Sequence, residues 1–397
     1  MKRILCLISI AALLLSCERK SGDGKYSSSL EREDVIEVVN AALDWQLKNM
    51  PEEGRTWYNP RYTGWADGVF LGAAATWSYL PGLRERLYAI ADENGYDLAP
   101  KCFNPANGLA VGMLYISLYL DDPKPRFLQD NITDFQKELE VLRGGWQKLV
   151  PTMERLDFLM NHWPGTDDLD FMVVANQEKW SWCDALYVGA PTFAAMANVT
   201  GCSEYREFMN REFWHTRDYL YSPADSLIFR DSRFFDAKEP NGNKVFWGRG
   251  NGWVLAALAR VMELLPRDYP DMGRYQAMFK EMAARLVRLQ GKDGFWRASL
   301  LDPEDFPNPE SSSTGLISYG LWWGINNGLL DEAGFVPAAK AGWEAMVSAV
   351  QPCGELGWVQ PIGDTPEHLS PEKNEVYGTA ALLLTGGEII KYINTKH

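Results

Sequence analysis

The stretch Trp65-Ala66-Asp67-Gly68-Val69-Phe70-Leu71-Gly72-Ala73-Ala74-Ala75 begins with an aromatic residue, a carboxylate and a glycine, and it continues into small and apolar residues. A helix that is apolar nearly all round is typical of a buried position. Further segments share this character, with a start rich in Gly and polar residues followed by a mostly apolar run. They begin at Asn107, Trp182, Gly250, Ser313 and Val376. The sequence therefore predicts six buried helices.

Amphipathic stretches alternate with these buried helices. The first has one apolar stripe at helical spacing, with charged residues opposite, formed by Val35, Ile36, Val39, Leu43 and Leu47. Comparable stretches cover residues 84–94, 135–160, 204–219, 274–290 and 337–350. A repeated hairpin of one amphipathic and one buried helix closes naturally into a double ring. The predicted fold is an all-α (α/α)6 barrel, a single domain over residues 30–397, and a two-domain helical solenoid is the alternative.

Residues 227–247 depart from the helical pattern. Ile228-Phe229-Arg230 and Val245-Phe246-Trp247 flank a turn at Asn241-Gly242, which predicts a small β-hairpin at the mouth of the barrel. The N-termini of the inner helices would share one end of the barrel, where their dipoles favour anionic groups.

The N-terminus has the features of a secretory signal over residues 1–17. Lys2 and Arg3 precede an apolar run that is too short to span a bilayer, and Ser16 and Cys17 follow it. Leu14-Leu15-Ser16-Cys17 resembles a bacterial lipobox, which implies lipidation of Cys17, and a plain signal peptide is the alternative. Residues 18–29 suit a flexible tether. We expect a lipoprotein on the periplasmic face of the outer membrane, which contacts the membrane only through its lipid.

Composition excludes one class of partner and favours another. The chain carries 39 Lys and Arg against 53 Asp and Glu, a net charge of −14, which argues against nucleic acid. It also has 16 Trp, 17 Tyr and 17 Phe. Flat aromatic faces stack on sugar rings, so this content indicates a carbohydrate ligand unless the Trp residues only fill the core. No Cys or His spacing indicates a metal site, and no cofactor is expected.

Two carboxylates are candidates for catalysis. Asp184, in Trp182-Cys183-Asp184-Ala185-Leu186-Tyr187, precedes an apolar run and lies between aromatic residues. It could merely cap the helix. Asp67 has the analogous place in its own repeat, however, and two carboxylates in one apolar funnel are typical of glycosidic chemistry.

A second motif, Phe246-Trp247-Gly248-Arg249-Gly250-Asn251-Gly252-Trp253, combines glycines that allow close approach with an arginine fork for a carboxylate. A purely structural role, with a tight turn and an internal salt bridge, is the alternative. The predicted substrate-binding residues are Trp65, Asn107, Trp182, Arg230, Trp247, Arg249, Asn251, Trp253 and Tyr377.

The stretches 182–191, 246–254 and 310–314, with Ser299-Leu300-Leu301-Asp302-Pro303, resemble glycoside hydrolase family 105, the unsaturated rhamnogalacturonyl and glucuronyl hydrolases. The resemblance runs from about Trp45 to the C-terminus. It implies an (α/α)6 catalytic domain and a small oligosaccharide ending in a Δ4,5-unsaturated uronic acid. An Asp, here Asp184, protonates C4 of the vinyl ether, water adds at C5, and the hemiketal opens to release the sugar. Burial in an aromatic pocket would raise the pKa of this acid, as the role requires.

The chain departs from the family pattern at two positions. Asn107 starts the second inner helix, where relatives usually carry an acidic pair, and Ser226 stands where many members are expected to have a His. We hypothesise that Asp67 supplies the second carboxylate. Two alternatives remain open: an (α/α)6 hydrolase or lyase that uses Asp67 and Asp184 on saturated glycans, and a non-catalytic glycan-binding lipoprotein.

Overall fold

The computed structural model describes residues 25–50, 64–98, 105–121, 135–165 and 167–396. The predicted signal peptide, the lipidation site Cys17 and residues 18–24 of the predicted tether lie outside the described residues.

The described part of the chain is mostly helical. Its helices in chain order are α1 (Arg32–Lys48), α2 (Trp65–Ala74), α3 (Leu83–Glu93), α4 (Pro105–Leu109), α5 (Gly112–Asp121), α6 (Phe135–Asn161), α7 (Ala185–Val188), α8 (Ala190–Thr200), α9 (Ser203–Leu220), α10 (Gly248–Leu264), α11 (Met272–Val287), α12 (Ser311–Asn326), α13 (Glu332–Ser348) and α14 (Val376–Lys396). The predicted amphipathic stretches correspond to α1, α3, α6, α9, α11 and α13. The second and third predicted buried helices are each broken into two segments, α4 with α5 and α7 with α8.

The inner helices form a closed ring. Helix α2 packs against α5, α5 against α8, α8 against α10, α10 against α12, α12 against α14, and α14 returns to α2. The outer helices pack on this ring, with α1 on α14, α9 on α8 and α13 on α12. The contact between the last helix and α2 excludes an open solenoid. The predicted (α/α)6 barrel is confirmed.

Small residues let the inner helices approach one another. A Cβ atom on Gly68 of α2 would lie 2.5 Å from the backbone nitrogen of Val111. A Cβ on Gly315 of α12 would lie 2.7 Å from the Cβ of Ala381 on α14. Real Cβ atoms do not come so close, so the glycines in the apolar runs set the spacing of the ring.

The small sheet is present, but its strands differ from the predicted ones. Strand β1 (Tyr221–Ser222) pairs antiparallel with β2 (Leu227–Ile228). The predicted partner of β2, residues 245–247, bonds elsewhere, because Trp247 forms an isolated bridge with Ser299. The side chain of Asn251 instead occupies the backbone N–H and C=O of Ile228. The Asn241-Gly242 turn lies between Lys238 and Lys244, which form an isolated bridge, and it is closed by backbone hydrogen bonds from Glu239 to Asn243 and from Gly242 to Glu239.

Across the described residues, no helix has the length and apolar character needed to cross a membrane.

Candidate active site

An aromatic cluster joins the N-terminal ends of three inner helices. Trp65, the first residue of α2, stacks on Tyr377 of α14 with ring centroids 5.1 Å apart. Trp253 of α10 contacts the Trp65 ring edge-on at 6.4 Å, and it meets Tyr187 of α7 at 4.6 Å. These contacts place the N-terminal parts of α2, α10 and α14 together with α7, as the predicted common mouth requires.

Asp184 directly precedes α7 within this group, and it does not cap the helix. Its side chain accepts no hydrogen bond from a backbone N–H of α7. Instead, the buried thiol of Cys183 donates to its Oδ1 atom at 3.1 Å. Burial raises the pKa of the Asp184 carboxyl above its ordinary value, although the charges of Arg230 and Arg249 and the thiol hydrogen bond oppose that effect. The protonated acid therefore persists to a higher pH than that of an exposed aspartic acid.

Gly250 allows α10 to approach this acid. A Cβ at that position would lie 3.0 Å from the sulfur of Cys183 and 3.8 Å from Oδ1 of Asp184. The neighbouring glycine, Gly248, faces the carbonyl oxygen of Arg297, which a Cβ would approach to 2.2 Å. The glycines of the second motif thus bring the backbone close to the chain's own groups, and one of these groups is Asp184.

Arg230 is the cation with the largest influence on Asp184. Its carbonyl oxygen accepts a hydrogen bond from the backbone N–H of Cys183 at 2.8 Å, which ties the segment after β2 to the residues before α7. Its Nη1 donates to Asp231 at 2.5 Å, and its guanidinium lies 4.7 Å from the centroid of the Phe171 ring. The side chain is 12% exposed. The structure therefore places a partly accessible arginine beside the candidate acid.

Asp231 and Arg233 extend this arrangement. The carboxylate of Asp231 is fully buried and accepts hydrogen bonds from Arg230 and from Nε and Nη2 of Arg233. Burial alone would raise the pKa of Asp231, but the two arginines outweigh it and lower the pKa. Arg233 also donates to Asp364 at 2.6 Å. This network connects the strand segment to residues 361–365.

Arg249 does not present a free fork to the mouth. It is 1% exposed, and its Nη1 donates to the carbonyl of Gln360 at 2.6 Å and to the hydroxyl of Tyr377 at 3.2 Å. Its Nη2 donates to the carbonyl of Pro361 at 3.0 Å. Both terminal nitrogens bind groups of the chain itself, so the predicted role as a clamp for a substrate carboxylate does not fit the structure. Arg249 instead holds the loop at 360–363.

Asn251 is likewise committed to the fold. Its Oδ1 accepts from the N–H of Ile228 at 2.9 Å, and its Nδ2 donates to the carbonyls of Ile228 and Trp247. The residue is completely buried. Direct substrate binding, as predicted from the motif, does not fit this geometry, because both amide hydrogens and the oxygen are used. Asn251 braces the strand that leads to Arg230.

The predicted stacking residues differ in exposure. Protein covers the ring faces of four predicted stacking residues, each at most 2% exposed: Trp182, Trp247, Trp253 and Tyr377. These rings pack inside the barrel and do not offer a surface to a sugar. Trp65 is half-buried and keeps an accessible surface. Of the predicted stacking residues, all of which the structure describes, Trp65 is therefore the one that can offer a platform to a sugar.

Comparisons with known proteins agree with this geometry. The family model described as Glycosyl Hydrolase Family 88 matches residues 144–393. An unsaturated 3S-rhamnoglycuronyl hydrolase of Formosa agariphila is 32% identical over 98% of this chain and 97% of that protein. The chain belongs to glycosyl hydrolase family 88. An enzyme of the same name from Alteromonas is 44% identical over 54% of this chain, and the match spans about half of that relative, 52% of its length.

Solved structures show the same fold. A family 88 glycosyl hydrolase from Bacteroides vulgatus superposes with a TM-score of 0.75 at 25% identity and covers 91% of this chain and 99% of that one. A structure named as a polysaccharide lyase has the same TM-score and identity and covers 92% and 98%. A possible family 105 member from Salmonella enterica has a TM-score of 0.69 at 18% identity and covers 99% and 100%. The predicted family resemblance is confirmed, as is the prediction of a glycoside hydrolase. The names of the two curated relatives agree with the predicted removal of an unsaturated uronic acid from oligosaccharides.

Asp67, the predicted second carboxylate, and Asn107, one of the departures from the family pattern, lie on neighbouring helices. Asp67 lies in the first turn of α2 and is 9% exposed. Asn107 is half-buried in α4, and α4 packs against both α2 and α7. Asn107 therefore belongs to the helix between those of the two predicted catalytic carboxylates.

Sequence reasoning missed Cys183, Asp231 and Arg233 as parts of this site. The signal for Asp231 and Arg233 was present, since Arg230-Asp231-Ser232-Arg233 alternates charges directly after a strand. For Cys183 there was no such signal, because a thiol beside an aspartate is ordinarily a small core residue.

Proposed function

We propose that this hydrolase hydrates the C4=C5 double bond of a terminal unsaturated uronic acid and that Asp184 is its general acid. The observation that carries the proposal is the state of this carboxyl: it lies at the common mouth, accepts no helix N–H, and has a pKa raised by burial. A general acid needs a pKa near the working pH, so that it holds a proton and can still release it.

The reaction proceeds in steps whose protons balance. Asp184 gives its proton to C4, the electron pair of the double bond forms the new C–H bond, and C5 becomes electron-poor. Water then adds at C5 and transfers a proton to the Asp184 carboxylate, which restores the acid. The hemiketal at C5 opens as the bond from C5 to the ring oxygen breaks and the C5 hydroxyl proton passes to that oxygen, which leaves a ketone at C5 and a hemiacetal at C1. The hemiacetal then collapses to an aldehyde as its hydroxyl proton passes to the oxygen of the departing sugar.

Arg230 would bind the carboxylate of the uronic acid. It is the partly exposed arginine beside Asp184, whereas the terminal nitrogens of Arg249 bind main-chain carbonyls and Tyr377. Arginine suits this task because its planar fork matches a carboxylate. Trp65 would stack on the sugar.

Asp67 would act as the second carboxylate and hold the attacking water or a sugar hydroxyl. Its support is its place in the first turn of α2, next to the helix that carries Asn107. The test is Asp67→Asn, for which we expect turnover to fall at least about tenfold. Wild-type turnover in that variant would refute the role.

The substrate class follows from the relatives. Both curated relatives described above are named unsaturated 3S-rhamnoglycuronyl hydrolases, and we propose that this chain acts on the same class of lyase product. The experiment offers purified protein lyase-generated disaccharides of several backbones and follows the ultraviolet absorbance of the C4=C5 bond. Loss of absorbance that disappears in Asp184→Asn supports the proposal. The exposed Asp218→Asn, 56% exposed, is the matched control and keeps wild-type turnover.

A lyase acting on saturated glycans is the second candidate, and the similarity to a structure named as a polysaccharide lyase favours it. The same absorbance separates the two when saturated uronic-acid glycans are also offered, because a lyase creates the double bond and raises the absorbance. Binding of the disaccharides without a change of absorbance would favour the non-catalytic interpretation.

We further propose that Cys17 carries a lipid and that the protein is attached to the periplasmic face of the outer membrane. The support is the lipobox-like Leu14-Leu15-Ser16-Cys17 after an apolar run. The test is membrane fractionation of wild type and Cys17→Ser, with protease digestion of intact cells to determine the face. Loss of the variant from the membrane fraction supports the anchor, and an unchanged distribution contradicts it.

A further inference from the structure

The position of the Cys183 thiol is fixed by contacts with Asp184, with the backbone of Arg230 and with Gly250 of α10. It is fully buried, and its Sγ donates to Oδ1 of Asp184 at 3.1 Å. The backbone N–H of Cys183 is fixed by the carbonyl of Arg230 at 2.8 Å. From the opposite side, α10 leaves room only because position 250 is a glycine, where a Cβ would lie 3.0 Å from the sulfur.

We propose that Cys183 is a positioning residue, whose hydrogen bond holds Oδ1 of Asp184 so that the transferable proton is carried by Oδ2. This inference rests on the proposed role of Asp184 as the general acid. A carboxyl group carries its proton on either oxygen, and a donor held against one oxygen leaves the other to bear the proton. Proton transfer to carbon then begins from one defined atom rather than from two.

A thiol suits this role better than stronger donors do. Burial and the neighbouring carboxylates raise the pKa of the Cys183 thiol well above its ordinary value, so it stays a neutral donor. Charged or backbone donors stabilise the ionised carboxylate strongly and would drive the proton from the acid. Sulfur is a weak donor. The thiol therefore orients the carboxyl while the protonated form survives.

The other charged groups that act on Asp184 are Arg230 and Asp231 from the strand side and Arg249 from α10. Helices α4 and α8 also pack against α7 and carry no charged residue. All three charged groups remain in a variant of Cys183. A change in the titration of Asp184 in such a variant therefore reports the thiol.

The test compares Cys183→Ala with Cys183→Ser in the pH dependence of turnover. Loss of a donor to the ionised carboxylate makes ionisation less favourable, so the basic limb of the Cys183→Ala profile moves to higher pH, by about half a unit for a weak donor. Turnover on the plateau falls by up to about tenfold, because the proton is no longer held on one oxygen. Cys183→Ser keeps a donor and restores both features. Cys202→Ala, at a half-exposed thiol, is the matched control and leaves the profile unchanged.

An unshifted limb in Cys183→Ala, or the same shift in both Cys183 variants, would overturn the proposal. A thermal melt of each variant confirms folding before the profiles are compared. The infrared band of the Asp184 carboxyl, assigned with Asp184→Asn and followed against pH, reads the same shift without turnover. Should the wild type fail on every unsaturated disaccharide, the proposed function fails, and the infrared titration still decides whether the thiol controls the carboxyl.

Discussion

Asp184 and Glu310 each directly precede an inner helix, and their carboxyl groups are used in opposite ways. Glu310 precedes α12, is fully buried, and accepts hydrogen bonds from the N–H groups of Ser312 and Ser313. The hydroxyl of Ser312 and the N–H of Gln360 complete its four donors. Asp184 precedes α7, is half-buried, and accepts no helix N–H.

Equivalent places in the repeat thus hold a carboxylate with a structural role before α12 and a candidate catalytic carboxyl group before α7. Glu310 accepts three hydrogen bonds at Oε1 and one at Oε2, so this residue caps a helix and holds the loop at Gln360. From the described residues, the side chain of Asp184 receives one hydrogen bond, from a thiol, and its carboxyl has capacity for a proton and a substrate. An acidic residue before a helix therefore indicates catalysis only when the helix does not use it.

Of the substitutions that test this comparison, we expect one at Asp184 to have the largest effect on turnover. Asp184→Asn removes the transferable proton and should lower turnover by at least about 10³-fold, because one group serves as both acid and base. Folding should persist, since the carboxylate caps no helix. The measurement is the initial rate by ultraviolet absorbance, together with a thermal melt. Turnover within tenfold of wild type would show that the acid lies elsewhere.

The two arginines beside Asp184 extend the comparison. Arg230→Gln should lower kcat/KM by about 10²-fold, the value of a lost charge-assisted hydrogen bond of about 3 kcal/mol. The charge of Arg230 lowers the pKa of Asp184, so its loss should also move the basic limb of the rate profile to higher pH.

Arg249→Gln is the matched variant. It removes the donors to the carbonyls of Gln360 and Pro361, and we expect a lower melting temperature with a smaller loss of kcat/KM. Equal losses in the two variants would mean that both arginines bind substrate, or that neither does.

Glu310 should show the complementary effect on stability. Glu310→Ala leaves two buried N–H groups of α12 without their acceptor, and the free energy of unfolding should fall by about 2–4 kcal/mol. Asp331 caps the exposed start of α13 by accepting from the N–H of Gly334 at 2.8 Å, so Asp331→Ala should cost only about 1 kcal/mol. Denaturant unfolding measures both. An unchanged stability in Glu310→Ala would remove the contrast with Asp184.

The features that the sequence predicted correctly are those that a local pattern of residues determines. Apolar periodicity distinguishes the inner from the outer helices within each segment, and the repeat then implies the ring. Asp184 was found because its motif surrounds it in sequence. The carbonyl groups that accept hydrogen bonds from Arg249 belong to Gln360 and Pro361, which lie 111 and 112 residues away. A local sequence pattern does not predict such distant partners.

The hairpin was misassigned for a related reason. Its strands were paired by propensity around the Asn241-Gly242 turn, whereas a side chain, Asn251, takes the backbone groups of Ile228. The competition between a side chain and a neighbouring strand depends on their distance in the folded barrel. Exposure is equally a property of the whole ring, so Trp182 and Trp253 were predicted as stacking surfaces although protein covers them.

The smallest expected effect concerns the stability of the folded state against pH. Burial raises the pKa of Asp184 in the folded protein, while the unfolded chain keeps the ordinary value of about 3.9. The stability associated with Asp184 is therefore fully present below about pH 4 and is lost as the pH rises through the raised pKa. Asparagine does not titrate. As the pH rises through this window, the unfolding free energy of Asp184→Asn should therefore increase relative to that of wild type.

Urea unfolding of both proteins between about pH 4 and about pH 8 measures this difference, and Asp218→Asn controls for the loss of a carboxylate as such. A gain in Asp184→Asn that grows with pH means that the fold tolerates this carboxyl at a cost, as expected of a group kept for its chemistry. If Asp184→Asn is instead less stable than wild type throughout the range, Asp184 supports the fold as Glu310 does. The distinction between the two helix starts would then be lost.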